Sequence, residues 1–339
     1  MKTWQIGERK GIESLALTQR PVPQPGPGQA VVRVRAAGLN NRDLRFVANT
    51  YGMGNPADRI PLSDGAGEVV AVGTGVTNVS IGDRVSATNM AYWTSGPFIG
   101  KAAFDADIGI SLDGWLTEYA LLPAVALFPI PDRLSFEDAA AMTVAGGTAW
   151  HILIELAQIE PGAVVLTQGT GGVSMFAVQI AKMAGARAAI TSSSDQKLAI
   201  AADHGADILI NYRRTPDWEA ELLAATDGHG ADVVVEVSGP AALERSLTAT
   251  ALNGHIGWIG SMSGSVEKAP NLFPLISRNI VLKGIASASR AMMMDWYKAA
   301  VANDLRPVIA ARFAFSDAPA AFTALASEQH VGKIVITLD

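Results

Sequence analysis

Seven consecutive residues, Gln168-Gly169-Thr170-Gly171-Gly172-Val173-Ser174, carry the clearest chemical signal in this chain. Glycines let a backbone approach a ligand closely. A helix that begins at such a loop adds unpaired N–H groups and the positive end of its dipole, a combination suited to a pyrophosphate. The loop departs from G-x-G-x-x-G, because Ser174 stands at the last glycine position. Without a ligand, the same residues make a tight strand-to-helix turn. About 20 residues further on, a dinucleotide site places the residue that meets the adenosine ribose, and a carboxylate there repels a 2′-phosphate. Here the strand ends Thr191-Ser192-Ser193-Ser194, hydroxyls instead of a carboxylate. These serines either donate to a phosphate or cap a helix. Asp195 follows, as a first-turn acid that favours the helix dipole or as an acid turned toward the ribose. No His/Ser/Asp triad or paired acid/base set is visible.

The elements that position these residues alternate. Residues 162–167 form a short apolar β-branched run that reads as a buried strand. Val173, Phe176, Ala177, Ile180, Ala181 and Ala184 repeat at helical spacing until Gly185 stops them. Strands are predicted near 163–167, 187–191, 208–211, 232–237, 255–260 and 280–284, and helices near 172–184, 195–204, 217–225 and 241–250. This rhythm predicts a doubly wound parallel sheet. Residues 1–125 read instead as a glycine-rich β domain with short strands. Among them 30–36 alternate as a half-buried strand, and 38–44 turn into a short helix. Residues 87–113 read as an irregular loop whose Tyr92, Trp93, Pro97 and Phe98 either pin it to the core or line a pocket. Ser135 is the expected N-cap of a helix with Glu137 and Asp138 in its first turn. A further helix opens at 146–151. The tail predicts helices near 292–303 and 317–327 and a strand at 333–337.

Composition limits the possibilities. A chain of 339 residues accommodates two domains, and a net charge of −6 argues against a nucleic-acid surface. With no cysteine, the chain has no disulfide, zinc–thiolate site, iron–sulfur cluster or cysteine nucleophile. The start, MKTWQIGERKG, lacks a secretory apolar segment, and no apolar run reaches membrane-spanning length. The expectation is a cytoplasmic protein without a membrane or nucleic-acid partner.

Five motifs then converge: Gly38-Leu39-Asn40-Asn41-Arg42-Asp43-Leu44, Asp64-Gly65-Ala66-Gly67-Glu68-Val69-Val70-Ala71-Val72-Gly73, Gly82-Asp83-Arg84-Val85, Gly147-Thr148-Ala149-Trp150 and Gly332-Lys333-Ile334-Val335. In this order they resemble the medium-chain dehydrogenase/reductase superfamily, in its zinc-free, quinone-oxidoreductase-like branch, over nearly the whole chain. The resemblance implies an α/β fold: a Rossmann doubly wound parallel sheet, residues 126–286, inserted into a GroES-like β domain, residues 1–125 plus 287–339. It implies an active site in the cleft between the two, and a homodimer through the Rossmann sheet edge.

It also implies site residues. Zinc-dependent relatives place a cysteine where this chain has Asn40, a His-Glu pair at Ser63-Asp64, and a third ligand near Val144; none of Asn40, Ser63 or Val144 forms a usual zinc site. The five histidines, His151, His204, His229, His255 and His330, lack ligand spacing. No zinc is expected. NADPH-using relatives carry a lysine at Lys197 and a tyrosine at Tyr212, which with Ser192 and Ser193 suit a 2′-phosphate, so NADPH is expected over NADH. Gly169, Thr170, Gly171, Gly172 and Val173 would hold the pyrophosphate. Thr148, with Val144, Val237, Ser238, Ile259 and Ser261, would lie near the nicotinamide, with 273–277 and 285–289 around the cofactor. For catalysis, Asn40 would donate a hydrogen bond to the substrate oxygen and Tyr51 would serve as donor or acid, as tyrosines do in enoyl-reducing relatives. Otherwise Asn40 is a turn residue, Asp43 a helix cap, and Asp64 the partner of an arginine such as Arg42. The expected function is NADPH-dependent hydride transfer to a quinone or to an α,β-unsaturated or simple carbonyl. The alternatives are a zinc-free alcohol dehydrogenase and a non-catalytic NADPH-binding protein.

Overall fold

The structure, a computed structural model, describes residues 1–7, 11–52, 58–260 and 269–338. In chain order its elements are β1 (Lys2–Ile6), β2 (Leu15–Gln19), β3 (Gln29–Leu39), α1 (Asn41–Val47), β4 (Asp64–Val72), β5 (Arg84–Ala87), α2 (Lys101–Phe104), β6 (Tyr119–Pro123), β7 (Leu127–Pro129), α3 (Phe136–Met142) and α4 (Val144–Trp150). The alternating region follows with β8 (Val164–Gln168), α5 (Gly172–Met183), β9 (Arg187–Ser192), α6 (Asp195–Asp203), β10 (Ile208–Asn211), α7 (Trp218–Ala225), β11 (Ala231–Glu236), α8 (Leu243–Ala249), β12 (Thr250–Trp258), α9 (Phe273–Ser277) and β13 (Val281–Gly284). The tail comprises α10 (Arg290–Ala302), β14 (Ile309–Ala314), α11 (Ala318–Ala326) and β15 (Lys333–Thr337).

Two compact units result, Met1–Gly147 with Ser287–Asp339, and Thr148–Ala286. In the second, a wholly parallel six-stranded sheet runs β10-β9-β8-β11-β12-β13. By order of appearance this is 3-2-1-4-5-6, with the reversal of winding between β8 and β11, where a doubly wound sheet binds its ligand. The strands are apolar on both faces because helices cover both: Val164, Val165 and Leu166 are buried, as are Val233, Val234 and Val235. Gly185, at φ 76°, ends α5 in the left-handed conformation that glycine tolerates.

The first unit is built from both ends of the chain. Its seven-stranded sheet runs β14-β15-β3-β4-β5-β7, with β6 also on β3, so the last strand lies against the central one. Its core gathers Leu39, Phe46, Trp115, Phe322, Ile334 and Ile336. Residues 126–147, grouped by sequence with the Rossmann domain, fall in this unit, because α3 packs on β3, β4 and β15. Ser135 caps α3 as expected, its hydroxyl accepting from Asp138 N at 3.0 Å. The next helix begins at Val144, before its glycines, and loosens into a π turn over His151–Leu156. The loop 87–113 contains α2. Trp93 is buried, edge-on to Phe98 at 5.2 Å, whereas Tyr92 is exposed, so Trp93 pins the loop. Among the described residues, no single helix is long and apolar enough to cross a membrane.

Candidate active site

In the second unit the glycine loop follows β8 directly. Gly169 has φ 68°, and Cβ atoms built at Gly169 and Gly171 would meet nothing within 4 Å. Open space over a turn that leads into the twelve-residue helix α5 fits a pyrophosphate at a helix N-terminus. The missing last glycine has a physical reason. The Ser174 hydroxyl is buried and donates to the Gln168 carbonyl at 2.7 Å, tying the first turn of α5 to the end of β8.

The same edge of the sheet brings the Val237-Ser238-Gly239 turn beside the end of β12. Glu236, buried at the end of β11, was not foreseen. One carboxylate oxygen accepts from Ser238 N at 2.8 Å and Gly239 N at 2.9 Å; the other accepts from Gln168 Nε2 at 2.8 Å and from the Ser246 hydroxyl. Its carbonyl accepts from Ile259 N at 3.1 Å and Gly260 N at 3.0 Å. Glu236 therefore joins the glycine loop to the Val237-Ser238-Gly239 turn and to the end of β12. Thr148 is buried on α4, and Ser261 lies outside the described residues.

At the adenosine end, β9 and β10 finish side by side, with Tyr212 N donating to Ser192 O at 3.0 Å. Ser194 caps α6, accepting from Lys197 N at 3.4 Å, while Ser192 is buried and Ser193 and Lys197 are partly exposed. Asp195 is turned to the β10 loop. Its Oδ1 accepts from Asn211 Nδ2 at 2.7 Å and its Oδ2 pairs with Arg214. The carboxylate is thus paired with a cation beside the serines, and Arg214 is a cation that sequence reading passed over.

In the first unit, three of the five motifs meet at one point. Asn40 is the N-cap of α1, and Asp43 Oδ2 accepts from Asn40 N at 2.8 Å. The Asn40 amide bridges two further residues, with Nδ2 donating to Asp64 Oδ2 at 2.9 Å and Oδ1 accepting from Lys333 Nζ at 2.6 Å. Lys333 also donates to Leu39 O at 2.6 Å and to Asp64 Oδ2 at 3.1 Å. Asp64 Oδ1 accepts from Val144 N at 2.9 Å. Side-chain exposure is 3% for Lys333 and 0% for Asp64, so this is a buried ion pair, while Asn40 stays partly exposed. The expected partner of Asp64 was Arg42, which the structure corrects: Arg42 pairs with buried Asp107, and Lys333 takes its place because β15 lies beside β3. Sequence reading quoted Lys333 in a motif without giving it a role.

Tyr51 follows α1 and lies against Arg42 of that helix. The Arg42 guanidinium lies over the Tyr51 ring, 5.3 Å from its centroid. Burial raises the Tyr51 hydroxyl above its usual range, which holds its proton more tightly. Asp107 is anchored from Asn89 Nδ2 at 2.9 Å, and Asn89 accepts from the Ser287 hydroxyl at 2.7 Å. Among the described residues, no three His, Cys, Asp or Glu side chains form a group that could hold a metal ion.

Asp43 is buried, and its Oδ1 has no hydrogen-bond partner among the described residues. Burial pushes its carboxyl up to about 7 from 3.8; Asp64 adds to the rise, while Arg42, Lys333 and the Asn40 N–H oppose it. A pKa raised on folding stabilises the protein fully below the unfolded value, and that contribution is lost as pH rises through the folded one. Asp43→Asn resembles the protonated acid and lacks this loss. Its stability relative to wild type should therefore be higher at about pH 8 than at about pH 5 in equilibrium denaturation; a difference independent of pH contradicts the assignment.

Comparison with known proteins identifies the scaffold. Residues 26–132 match the family model of the alcohol dehydrogenase GroES-like domain, and residues 172–303 match that of the zinc-binding dehydrogenases. The chain is 38% identical to a zinc-type alcohol dehydrogenase-like protein of Schizosaccharomyces pombe, covering 98% of this chain and 97% of that one. It belongs to the medium-chain dehydrogenase/reductase superfamily. A quinone oxidoreductase of Pseudomonas aeruginosa is 31% identical, over 99% of each chain. The crystal structure of a putative alcohol dehydrogenase from Sinorhizobium meliloti superposes with a TM-score of 0.91 at 36% identity, covering 100% of both chains. The expected fold, a Rossmann sheet with a GroES-like domain, is that of this superfamily, and the protein is an NAD(P)-dependent oxidoreductase of small molecules.

Proposed function

We propose that the protein uses NADPH to reduce a quinone or an α,β-unsaturated or simple carbonyl, without zinc. The observation that carries this reading is the Lys333 ammonium held between Asn40, where zinc-dependent relatives have a cysteine, and Asp64, where they have the second residue of a His-Glu pair. An amide, a hydroxyl and an aliphatic side chain at Asn40, Ser63 and Val144, beside a lysine cation, do not fit zinc. The glycine loop does fit a dinucleotide, and bound NADPH supplies the hydride. When hydride reaches carbon, negative charge gathers on the substrate oxygen. The Asn40 amide donates to that oxygen, and the Tyr51 hydroxyl supplies the proton that completes reduction.

Ser192, Ser193, Lys197 and Tyr212 around an Asp195 paired with Arg214 support NADPH over NADH. The Pseudomonas relative supports the quinone class. A second reading, a zinc-free alcohol dehydrogenase, draws on the alcohol-dehydrogenase names of the Schizosaccharomyces relative and the Sinorhizobium structure. A homodimer is supported by the sheet edge: among the described residues no strand pairs with the outer side of β13, and Val281, Leu252, Phe273 and Ile276 are exposed apolar residues. Metal analysis and chelation test the zinc-free reading. The purified enzyme should retain its full rate after dialysis against a strong chelator; a rate lost on chelation and restored by zinc contradicts it.

A further inference from the structure

We propose that Lys333 is a positioning residue that locks the Asn40 amide in the one orientation able to donate to a substrate oxygen. The inference rests on the reading of Asn40 as that donor.

An ammonium has three donors and no acceptor. Those of Lys333 reach Leu39 O, Asn40 Oδ1 and Asp64 Oδ2 at 2.6, 2.6 and 3.1 Å, so the lysine has none left for a substrate. Its effect must pass through a neighbour. Asn40 is the neighbour with exposed surface, and its two sides are told apart chemically. Lysine can only donate and the Asp64 carboxylate can only accept, so the amide oxygen must face Lys333 and the amide nitrogen must face Asp64. The reversed amide would set donor against donor and acceptor against acceptor. Of the two amide protons, one goes to Asp64 Oδ2 at 2.9 Å, and the second has no partner among the described residues. The cation at the amide oxygen also draws charge from the nitrogen and makes that second N–H a stronger donor.

The three remote motifs supply the parts of this lock. Asn40 sits where β3 turns into α1, and Asp64 begins β4, its other oxygen fixed by Val144 N at 2.9 Å. Lys333 begins β15, whose Ile334 pairs with Leu39. Gly332 makes that delivery possible. Its φ is 83°, and a Cβ there would lie 2.1 Å from the Val308 carbonyl oxygen, the group that accepts from Lys333 N. A structural ion pair alone would not need an asparagine bonded to both of its partners.

The test uses the full-length enzyme. Lys333→Met leaves Asp64 buried and unpaired, so it is paired with Lys333→Met/Asp64→Asn, which removes both charges together. The side-chain amide protons of Asn40, assigned in ¹⁵N spectra by their loss in Asn40→Ala, report the lock without any substrate. They should be sharp and well separated in the wild type and should broaden or converge in the charge-free pair; an unchanged pair of signals overturns the proposal. In turnover with 1,4-naphthoquinone or cinnamaldehyde, the charge-free pair should lower kcat by about tenfold or more with KM little changed, and this effect should vanish in an Asn40→Ala background. The same loss with Asn40 already absent overturns the lock alone. If Asn40→Ala itself costs nothing in kcat, the underlying reading of Asn40 fails instead.

Discussion

Asn40→Ala lowers kcat for quinone or enone reduction by about 10²–10³-fold, the usual consequence of removing one hydrogen-bond donor from a developing oxyanion. The loss falls on kcat because the bond is strongest when charge has moved onto the oxygen. NADPH affinity, measured by fluorescence titration, stays at the wild-type value, because the glycine loop and the serine cluster belong to the other unit. Asn40→Asp should be as damaging: a carboxylate there faces Asp64 and presents no N–H. If both variants keep the wild-type kcat, charge stabilisation rests on another group.

Lys197→Ala weakens NADPH binding by about 10- to 100-fold and NADH binding very little, the loss of one charge-assisted bond to phosphate. The environment makes lysine and hydroxyls the relevant partners. Asp195 would repel a phosphate as a lone carboxylate, but it is held by Arg214 and Asn211. Titration of the variant with both cofactors checks the prediction, and equal losses for the two would remove Lys197 from the phosphate. Arg214→Ala should shift preference in the same direction by leaving the Asp195 charge uncompensated.

Much of the second unit was legible in the sequence because its signals are local. The apolar run of β8, the glycines after it, the helical repeat of α5 and the stop at Gly185 lie within one short stretch, and the βα rhythm then repeats. Element boundaries shifted where local signals conflict: α4 begins before the glycines expected to open it, and β12 starts at Thr250 well before its predicted 255. What stayed hidden was pairing across the chain. Lys333 reaches Asn40 and Asp64 only because β15 returns beside β3, and no periodicity within either segment announces that. Glu236 and Gln168 meet because β11 and β8 are neighbours in the sheet, and a lone glutamate at a strand end has no pattern of its own. Arg214 reaches Asp195 across adjacent βα turns in the same way. The candidate residues were thus visible singly, while the charges that orient them needed the fold.

The most direct test of the central claim is cofactor oxidation by the chelator-treated enzyme, with NADPH and NADH compared in turn, against a panel of quinones, enones, aldehydes and ketones. The account predicts that NADPH is consumed faster than NADH and that quinones or enones are the acceptors. Turnover that appears only with added zinc, or only in the direction of alcohol oxidation with NAD, would contradict it.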